Sequence, residues 1–331
     1  MSEPDMNPDQ AYVSTGRLPP AEDVVKLVDR AYEKFRSNSD GRRSQVYPAL
    51  ARVPADLFGV CVVATHGDVH SAGDADYLFP IMSVSKPFVF ALVCQHLGPS
   101  EARRKIGANA TGFPFNSTLP LEMHRDGRTN PMVNSGAIVT SSLVAGDSSE
   151  AKWQRILDGL SALAGRPLVM NEEVLESART TNFRNRGMAH LLHSAGSLEA
   201  DPMEALDLYT RQCCLDVTAK DLAVMGATLA DGGVNPITRE RVIDPTTCHY
   251  TLAVMATAGL YETSGDWLYE IGLPGKSGIG GGIVTVSPGK GGLGTFAPLL
   301  DEAGNSVKGQ MTAKYLSQHL GLDLFLSKPE A

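Results

Sequence analysis

Cysteine is scarce in this chain and is not arranged for crosslinking or metal binding. The 331 residues include five cysteines, an odd number, scattered mostly through apolar stretches. No C-x-x-C pair occurs, and the pair His190-x-x-His193 lacks further ligands at a suitable spacing. We therefore expect buried free thiols and no metal site.

Long apolar segments and a positively charged leader are also missing. The longest strongly apolar stretches, Leu57–Thr65 and Phe88–Leu97, are much shorter than the roughly 20 residues that cross a bilayer. Residues 1–9 carry acidic side chains where a signal peptide carries basic ones, and no apolar segment follows them. We expect a cytoplasmic protein that does not contact membranes.

An excess of basic residues is the third absence. The chain has 29 Lys and Arg against 37 Asp and Glu, for a formal charge of −8. Nucleic acids and anionic membranes favour clustered Lys and Arg, so neither is expected as the main partner. With 43% hydrophobic and 20% charged residues, the chain has the composition of an ordinary globular protein, which favours a small-molecule substrate.

Hydrophobic periodicity predicts strands near both ends of the chain and helices between them. Ala21–Phe35 has helical spacing, and Leu57–Thr65 with Val69–Ala72 has the pattern of a β-hairpin. Strand character returns in Lys276–Val286 and Gly292–Pro298. Further helices are predicted over Ser135–Val144, Trp153–Ala164, Arg186–Ser194, Asp201–Cys213, Thr218–Ala230 and Ser306–Leu320.

This order predicts an α/β (α+β) fold in which a sheet domain carries an all-helical insertion. We expect a flexible N-terminus over 1–19, a sheet domain from 20–82 and 231–331, and a helical domain over 83–230. The active site is expected at the interface of the two domains.

The residues around Ser83 suit a serine nucleophile. Ser83 precedes Lys86 by three positions, and such residues share one helix face with Cβ atoms roughly 5–6 Å apart. Burial can bring a lysine pKa toward ~7–8, where the amine acts as a base. Ser85 would point about 100° away from that face. The alternative interpretation is a capping serine and a surface lysine.

A second constellation lies late in the chain, where Lys276-Ser277-Gly278 precedes a glycine run that leads into a predicted strand. Glycines permit the close approach of a ligand to backbone N–H groups, as an oxyanion site requires. A phosphate-binding loop would need glycine at position 270, which is Glu270, so the nucleotide interpretation fails.

S-x-x-K followed roughly 190 residues later by K-[ST]-G resembles the serine β-lactamase and penicillin-binding superfamily. Together with further motifs, the chain resembles the serine-dependent glutaminases from about residue 20 to 325. The resemblance implies a β-lactamase/transpeptidase-like fold with an antiparallel sheet flanked by helices. The further motifs are, in order, Asn130–Ile138, Arg184–Ala189, Tyr209–Cys213, Asp231–Pro236, Gly259–Tyr261 and Lys276–Gly282.

The resemblance implies hydrolysis of L-glutamine to L-glutamate and ammonia through a serine acyl-enzyme, without metal or organic cofactor, in a homodimer or homotetramer. By this analogy Ser83 is the nucleophile, Lys86 its base, and Tyr261 a phenol that relays the proton. The backbone N–H groups of Ser83 and Ile279 would form the oxyanion hole. The residues that the resemblance assigns to the substrate pocket are Asn134, Asn185, Tyr209, Ile279 and Lys276.

The sequence allows other interpretations of these residues and of the function. Asn134 could cap a helix, Asn185 could be a turn residue, and Tyr209 or Tyr261 an ordinary half-buried aromatic. The function could instead be acyl transfer on another substrate, as in an esterase, lactamase or other amidase. A non-catalytic binding protein is the remaining alternative.

Two positions depart from the family pattern. The family's S-E-x-x-T-x-x-R-N stretch corresponds to Ser177–Asn185, with Ala178 in place of a substrate-contacting glutamate. Its Y-I-P motif corresponds to Val46-Tyr47-Pro48, with Val46 in place of the active-site tyrosine. Both changes predict altered recognition with retained chemistry. Loss of one hydrogen bond to a charged group could weaken glutamine use by roughly 10- to 100-fold. Glu176 and Tyr47 are the candidates for compensation.

Overall fold

The computed structural model describes residues 16–123 and 127–326, so most of the predicted N-terminal segment 1–19 lies outside the described residues. The helices are α1 Ala21–Phe35, α2 Pro48–Ala51, α3 Ser85–Leu97, α4 Pro99–Ile106, α5 Leu119–Met123, α6 Asn134–Ser142, α7 Ser149–Ala164, α8 Glu172–Thr181, α9 Phe183–Ser194, α10 Pro202–Cys213, α11 Ala219–Ala230, α12 Pro245–Ala258, α13 Ser264–Ile271 and α14 Val307–His319.

The strands are β1 Gly59–Ala64, β2 Val69–Gly73, β3 Phe79–Pro80, β4 Val169–Met170, β5 Leu215–Val217, β6 Gly275–Ser277, β7 Gly282–Ser287 and β8 Gly291–Phe296. They form two antiparallel sheets. The larger has the order β2-β1-β8-β7-β6 and the smaller the order β3-β5-β4. Two single turns of 3₁₀ helix, Met82–Val84 and Tyr261–Thr263, adjoin the sheets.

The central strands of the larger sheet are buried on both faces. Strand side chains alternate between faces, and in β1 Val60 and Val62 join the apolar cluster that includes α1 and α14. Cys61 packs in a separate cluster with α11. The predicted hairpin is confirmed, since β1 pairs with β2 in antiparallel register. Helices therefore cover both faces of this sheet, as an α/β fold requires.

The first helix has the predicted bounds, and its apolar residues all lie on one face. Val24, Leu27, Val28 and Ala31 are buried at i, i+3, i+4 and i+7, which forms one stripe along α1. Other predicted helices begin or end within a few residues of the observed ones, as for Asp201–Cys213, which is observed as Pro202–Cys213.

One strand prediction is wrong. Lys276–Val286 is not continuous but forms β6 and β7, which pair with each other in antiparallel register. The turn between them closes because Gly281 has φ +100°, a backbone conformation that glycine adopts without steric cost. The Gly278 N–H donates to the Gly282 carbonyl at 2.9 Å. An apolar periodicity cannot reveal this reversal, because residues on both sides of it are buried.

Sheet strands come from both ends of the chain, and most of the described helices come from its middle. Helix α11, near the end of the predicted helical domain, packs directly on β1, β7 and β8. The domain bounds at 82 and 230 therefore stay a prediction. All five cysteines are buried free thiols, as expected. None of the helices in the described ranges is both long and apolar enough to cross a membrane.

Candidate active site

Ser83 lies in the 3₁₀ turn that joins β3 to α3. Helix α3 begins only at Ser85, so Ser83 precedes the helix on which the spacing argument placed it. Met82 has φ +48°, and a non-glycine residue held in this region costs about 1–3 kcal/mol. The Ser85 hydroxyl donates to the Met82 carbonyl at 2.7 Å, which holds the turn. Ser83 itself is only 6% exposed.

Lys86 is buried at the base of the site, which excludes the surface-lysine interpretation. Its amine donates to the Met132 carbonyl at 3.1 Å and to Asn134 Oδ1 at 2.8 Å. Burial lowers the pKa of Lys86 to about 7, because the charged form loses its hydration. A substantial fraction of the amine is therefore neutral near pH 7 and able to accept a proton.

The hydroxyl of Ser83 interacts with the phenol of Tyr261 and favours its ionised form, so it opposes the effect of burial on the pKa of that phenol. The sequence predicted the Lys86 amine as its partner, but both hydrogen bonds of that amine go elsewhere. The phenol also donates to the Ser277 carbonyl at 3.3 Å. Burial raises the pKa of Tyr261, so the phenol keeps its proton at neutral pH. Tyr261 has φ +58°, a second strained backbone position beside Ser83.

A second buried lysine supports the Tyr261 ring. Lys276 donates to the carbonyls of Gly259 at 2.8 Å and Ser277 at 2.7 Å. Its amine lies 4.3 Å from the centroid of the Tyr261 ring, a cation–π distance. Burial, with a further contribution from Lys86, holds the pKa of Lys276 well below its ordinary value.

Asn305 connects β6 with the turn that carries Tyr261, and it was not predicted from the sequence. The Ser277 hydroxyl donates to Asn305 Oδ1, and Asn305 Nδ2 donates to Thr263 Oγ1 at 2.9 Å. The side chain is fully buried, so it fixes the turn of Tyr261 against β6. The only local signal was its position before Ser306, the N-cap of α14, and that signal indicates a helix start rather than a site.

The predicted substrate-pocket asparagines and Tyr209 form one network with Lys86. Asn134 Oδ1 accepts from Lys86 Nζ and from the Tyr209 hydroxyl at 3.0 Å. Asn134 Nδ2 donates to Asn185 Oδ1 at 3.0 Å. The capping interpretation of Asn134 is wrong, because α6 is capped by Val133 without a side-chain hydrogen bond. Asn185 lies within α9 rather than in a turn.

Ser83, Asn134, Asn185 and Tyr209 open onto a cavity of about 170 Å³. Ser83 lies in its wall, together with side chains from the helical part of the chain and from the loop before α2. The lining residues are Val46, Tyr47, Met82, Ser83, Phe115, Asn116, Asn134, Thr181, Asn182, Arg184, Asn185, Tyr209, Cys213 and Ile279.

The turn between β6 and β7 lies directly against the Ser83 turn. A Cβ at Gly280 would lie 2.6 Å from the Pro80 carbonyl oxygen, and one at Gly278 would lie 3.0 Å from that of Ile81. Glycine is therefore required for this approach, which brings Ile279 to the cavity wall. Among the hydrogen bonds of the described residues, the backbone N–H groups of Ser83 and Ile279 donate to no acceptor.

The two departures from the family pattern have different surroundings. Ala178 is 1% exposed and packs in the main apolar core, outside the cavity lining. Glu176 is exposed, and two residues along a helix correspond to about 200°, so it faces away from Ala178. Tyr47 and Val46 both line the cavity. Tyr47 is thus positioned to contact a ligand, whereas Glu176 is not.

No cluster of three or more His, Cys, Asp or Glu side chains that could hold a metal ion occurs in the described parts of the chain.

Comparison with known proteins relates this site to a family. A family model described as Glutaminase matches residues 41–325. The chain is 68% identical to "Glutaminase 2" of Yersinia pestis, over 96% of this chain and 94% of that protein. It is 49% identical to "Glutaminase" of Brucella suis biovar 1 (strain 1330), over 92% and 97% of the two chains.

Solved structures agree with these relatives. One described as "Probable glutaminase ybaS" has 47% identity and a TM-score of 0.91, covering 93% of this chain and 99% of that one. The glutamate form of Mglu has 36% identity and a TM-score of 0.86, covering 94% and 71%. The fold is thus that of the β-lactamase-like enzymes. The chain belongs to the glutaminase family of amidohydrolases, which convert L-glutamine to L-glutamate and ammonia.

Proposed function

We propose that this chain hydrolyses the side-chain amide of L-glutamine through an acyl-enzyme on Ser83. The observation that carries the proposal is the buried Ser83 hydroxyl in the cavity wall beside the Tyr261 phenol, with the buried Lys86 amine, whose pKa is about 7, bonded to the cavity-lining Asn134. A nucleophile, a base and a neutral proton donor are the groups that amide hydrolysis requires.

In the first half of the reaction, Ser83 Oγ forms a bond to the amide carbon and loses its proton. The neutral amine of Lys86 is the terminal acceptor of that proton, and the phenol of Tyr261 relays it. The C–N bond then breaks as the nitrogen takes up a proton, and ammonia leaves. Water attacks the resulting ester, which releases the carboxylic acid and returns the proton to Ser83.

The developing oxyanion is assigned to the backbone N–H groups of Ser83 and Ile279. Both lie at the cavity wall, and among the described hydrogen bonds neither donates to a protein acceptor. Donors that are fixed before the reaction stabilise the transition state because no reorganisation is needed, and each such donor is worth about 2.7–4 kcal/mol.

Asn134, Asn185 and Tyr209 are assigned to substrate binding, with Lys276 holding the Tyr261 ring. The network from Lys86 through Asn134 to Asn185 couples the base to the cavity wall. Tyr47 belongs to the same proposal because it lines the cavity. Family membership also supports a homodimer or homotetramer, which light scattering on the purified protein would test.

The test is ammonia release from L-glutamine by the wild type, by Ser83→Ala and by Ser85→Ala. Ser85 is the matched control because it is a buried serine two positions away whose hydroxyl bonds to Met82 and Gln212. We expect Ser83→Ala to lose at least about 10³-fold in kcat, in line with loss of a nucleophile. Ser85→Ala should retain activity within about tenfold. Equal losses in both variants would contradict the assignment.

A further inference from the structure

The described lining of the cavity contains a cation but no carboxylate, and this bears on which substrate the site binds. None of the described lining residues is an aspartate or glutamate, and Arg184 is the only one of them that carries a charge. Free L-glutamine carries both an α-carboxylate and an α-ammonium group. The cavity thus offers a partner of opposite charge to the first group and none to the second.

The cation in the lining is fixed. Arg184 Nε donates to the Asn116 carbonyl at 2.7 Å, and both residues line the cavity. A guanidinium held at one nitrogen still presents its other donors to a carboxylate, which it binds with matched geometry. Arg184 is exposed, so it lies on the solvent side, while Ser83 is buried. A substrate with its amide at Ser83 would then direct its carboxylate toward the Arg184 side.

Among the described residues, the hydrogen-bond partners of the two buried lysines include no carboxylate either. The hydrogen bonds of the Lys86 and Lys276 amines end on three backbone carbonyls and one amide oxygen, all of them neutral acceptors. The oxygen of Asn134 is already occupied by two donors, Lys86 and Tyr209. An ammonium group that enters here loses hydration without gaining an anionic partner, and that loss is costly for any charge.

The helix that precedes the site cannot supply the missing charge. Ala178 has no polar atom and packs in the core, and Glu176 faces solvent on another side of α8. The first-turn residues of α8, Glu172 and Glu173, are also exposed and lie outside the lining.

We infer that the site prefers monoamides of five-carbon dicarboxylic acids that lack the α-ammonium group over free L-glutamine. This inference rests on the proposed function, since it uses the same nucleophile and the same hydrolysis of a terminal amide. The cavity of about 170 Å³ is small compared with the roughly 300–1,000 Å³ of drug-sized sites, which favours a short substrate.

The decisive measurement compares kcat/KM for glutaramate, the monoamide without an amino group, with kcat/KM for L-glutamine in the wild-type protein. Ammonia release is followed for both, with Ser83→Ala as the control for dependence on the site. L-Glutamine brings an ammonium group without an anionic partner into the cavity, so kcat/KM should be roughly 10- to 100-fold higher for glutaramate.

A charge-restoring variant supplies the second measurement. Asn182 lines the cavity at the start of α9 without a side-chain cap hydrogen bond, so Asn182→Asp adds a carboxylate of the same shape to the lining and replaces only the Nδ2 donor to Thr210 Oγ1. We expect this variant to shift the substrate ratio toward L-glutamine by about tenfold or more. Asn109→Asp makes the same change at an exposed residue outside the lining and should leave the ratio unchanged.

The outcomes separate the two proposals. If both amides are hydrolysed in a Ser83-dependent manner and L-glutamine is preferred, the inference is overturned while the proposed function stands. If neither is hydrolysed by the folded protein, both are overturned. A preference for glutaramate that moves toward L-glutamine in Asn182→Asp supports the inference. If Asn182→Asp does not fold, the wild-type ratio alone decides.

Discussion

Replacing Lys86 by methionine is expected to stabilise the protein at neutral pH while it abolishes turnover. Burial lowers the pKa of Lys86 from 10.5 to about 7, so between these values the unfolded chain binds a proton that the folded protein does not. Stability rises with pH wherever the unfolded state binds more protons. The stability of the wild type is therefore reduced at pH 7 and recovers as the pH rises toward 10.5.

The size of the effect follows from the same pKa. Each pKa unit corresponds to about 1.4 kcal/mol, so burying this amine costs about 5 kcal/mol at pH 7. Methionine removes that cost but leaves the Met132 carbonyl without its donor, which costs about 1–3 kcal/mol. Asn134 Oδ1 keeps the Tyr209 hydroxyl. The expected net gain is about 2–4 kcal/mol at pH 7.

Urea denaturation at pH 7, 8 and 9 measures the difference in the free energy of unfolding between the wild type and Lys86→Met. The advantage of the variant should shrink by about 1.4 kcal/mol for each pH unit. Lys26→Met is the control, because that side chain is 56% exposed and should change stability by no more than about 0.5 kcal/mol. A variant less stable than the wild type at pH 7, or a difference independent of pH, would refute the reasoning.

Two further predictions concern activity. The kcat/KM of the wild type should fall about tenfold per pH unit below pH 7, because protonation of Lys86 removes the base, and should be constant above pH 7. An ammonia assay from pH 5.5 to 9 measures this pH profile. Equal values of kcat/KM at pH 6 and pH 8 would contradict the prediction. Tyr261→Phe keeps the ring that packs on Phe115 but loses the hydroxyl between Ser83 and Ser277, so kcat should fall about 10²- to 10⁴-fold. Its free energy of unfolding should change by only about 0.5–1.5 kcal/mol. A loss of kcat below threefold would show that the phenol is not needed.

The sequence-based predictions succeeded where short-range patterns are sufficient. The apolar spacing of α1 predicted its extent, and the β-branched stretch of β1 followed by the turn at His66-Gly67-Asp68 predicted its hairpin with β2. They failed at the turn between β6 and β7, because a buried strand and a buried glycine turn have the same apolar pattern. Asn305 was missed for a related reason, since its partners lie about 30 to 45 residues away along the chain.

The sequence by itself determined the family and the chemical groups, because ordered motifs such as Ser83 to Lys86 and Lys276 to Gly282 fix which side chains are available. Only the tertiary structure decided how they pair. It brought the Tyr261 phenol beside Ser83, buried Lys86 deeply enough to lower its pKa, and left the described cavity lining without a carboxylate. Burial and distance depend on segments far apart in the chain, and local spacing carries no information about either.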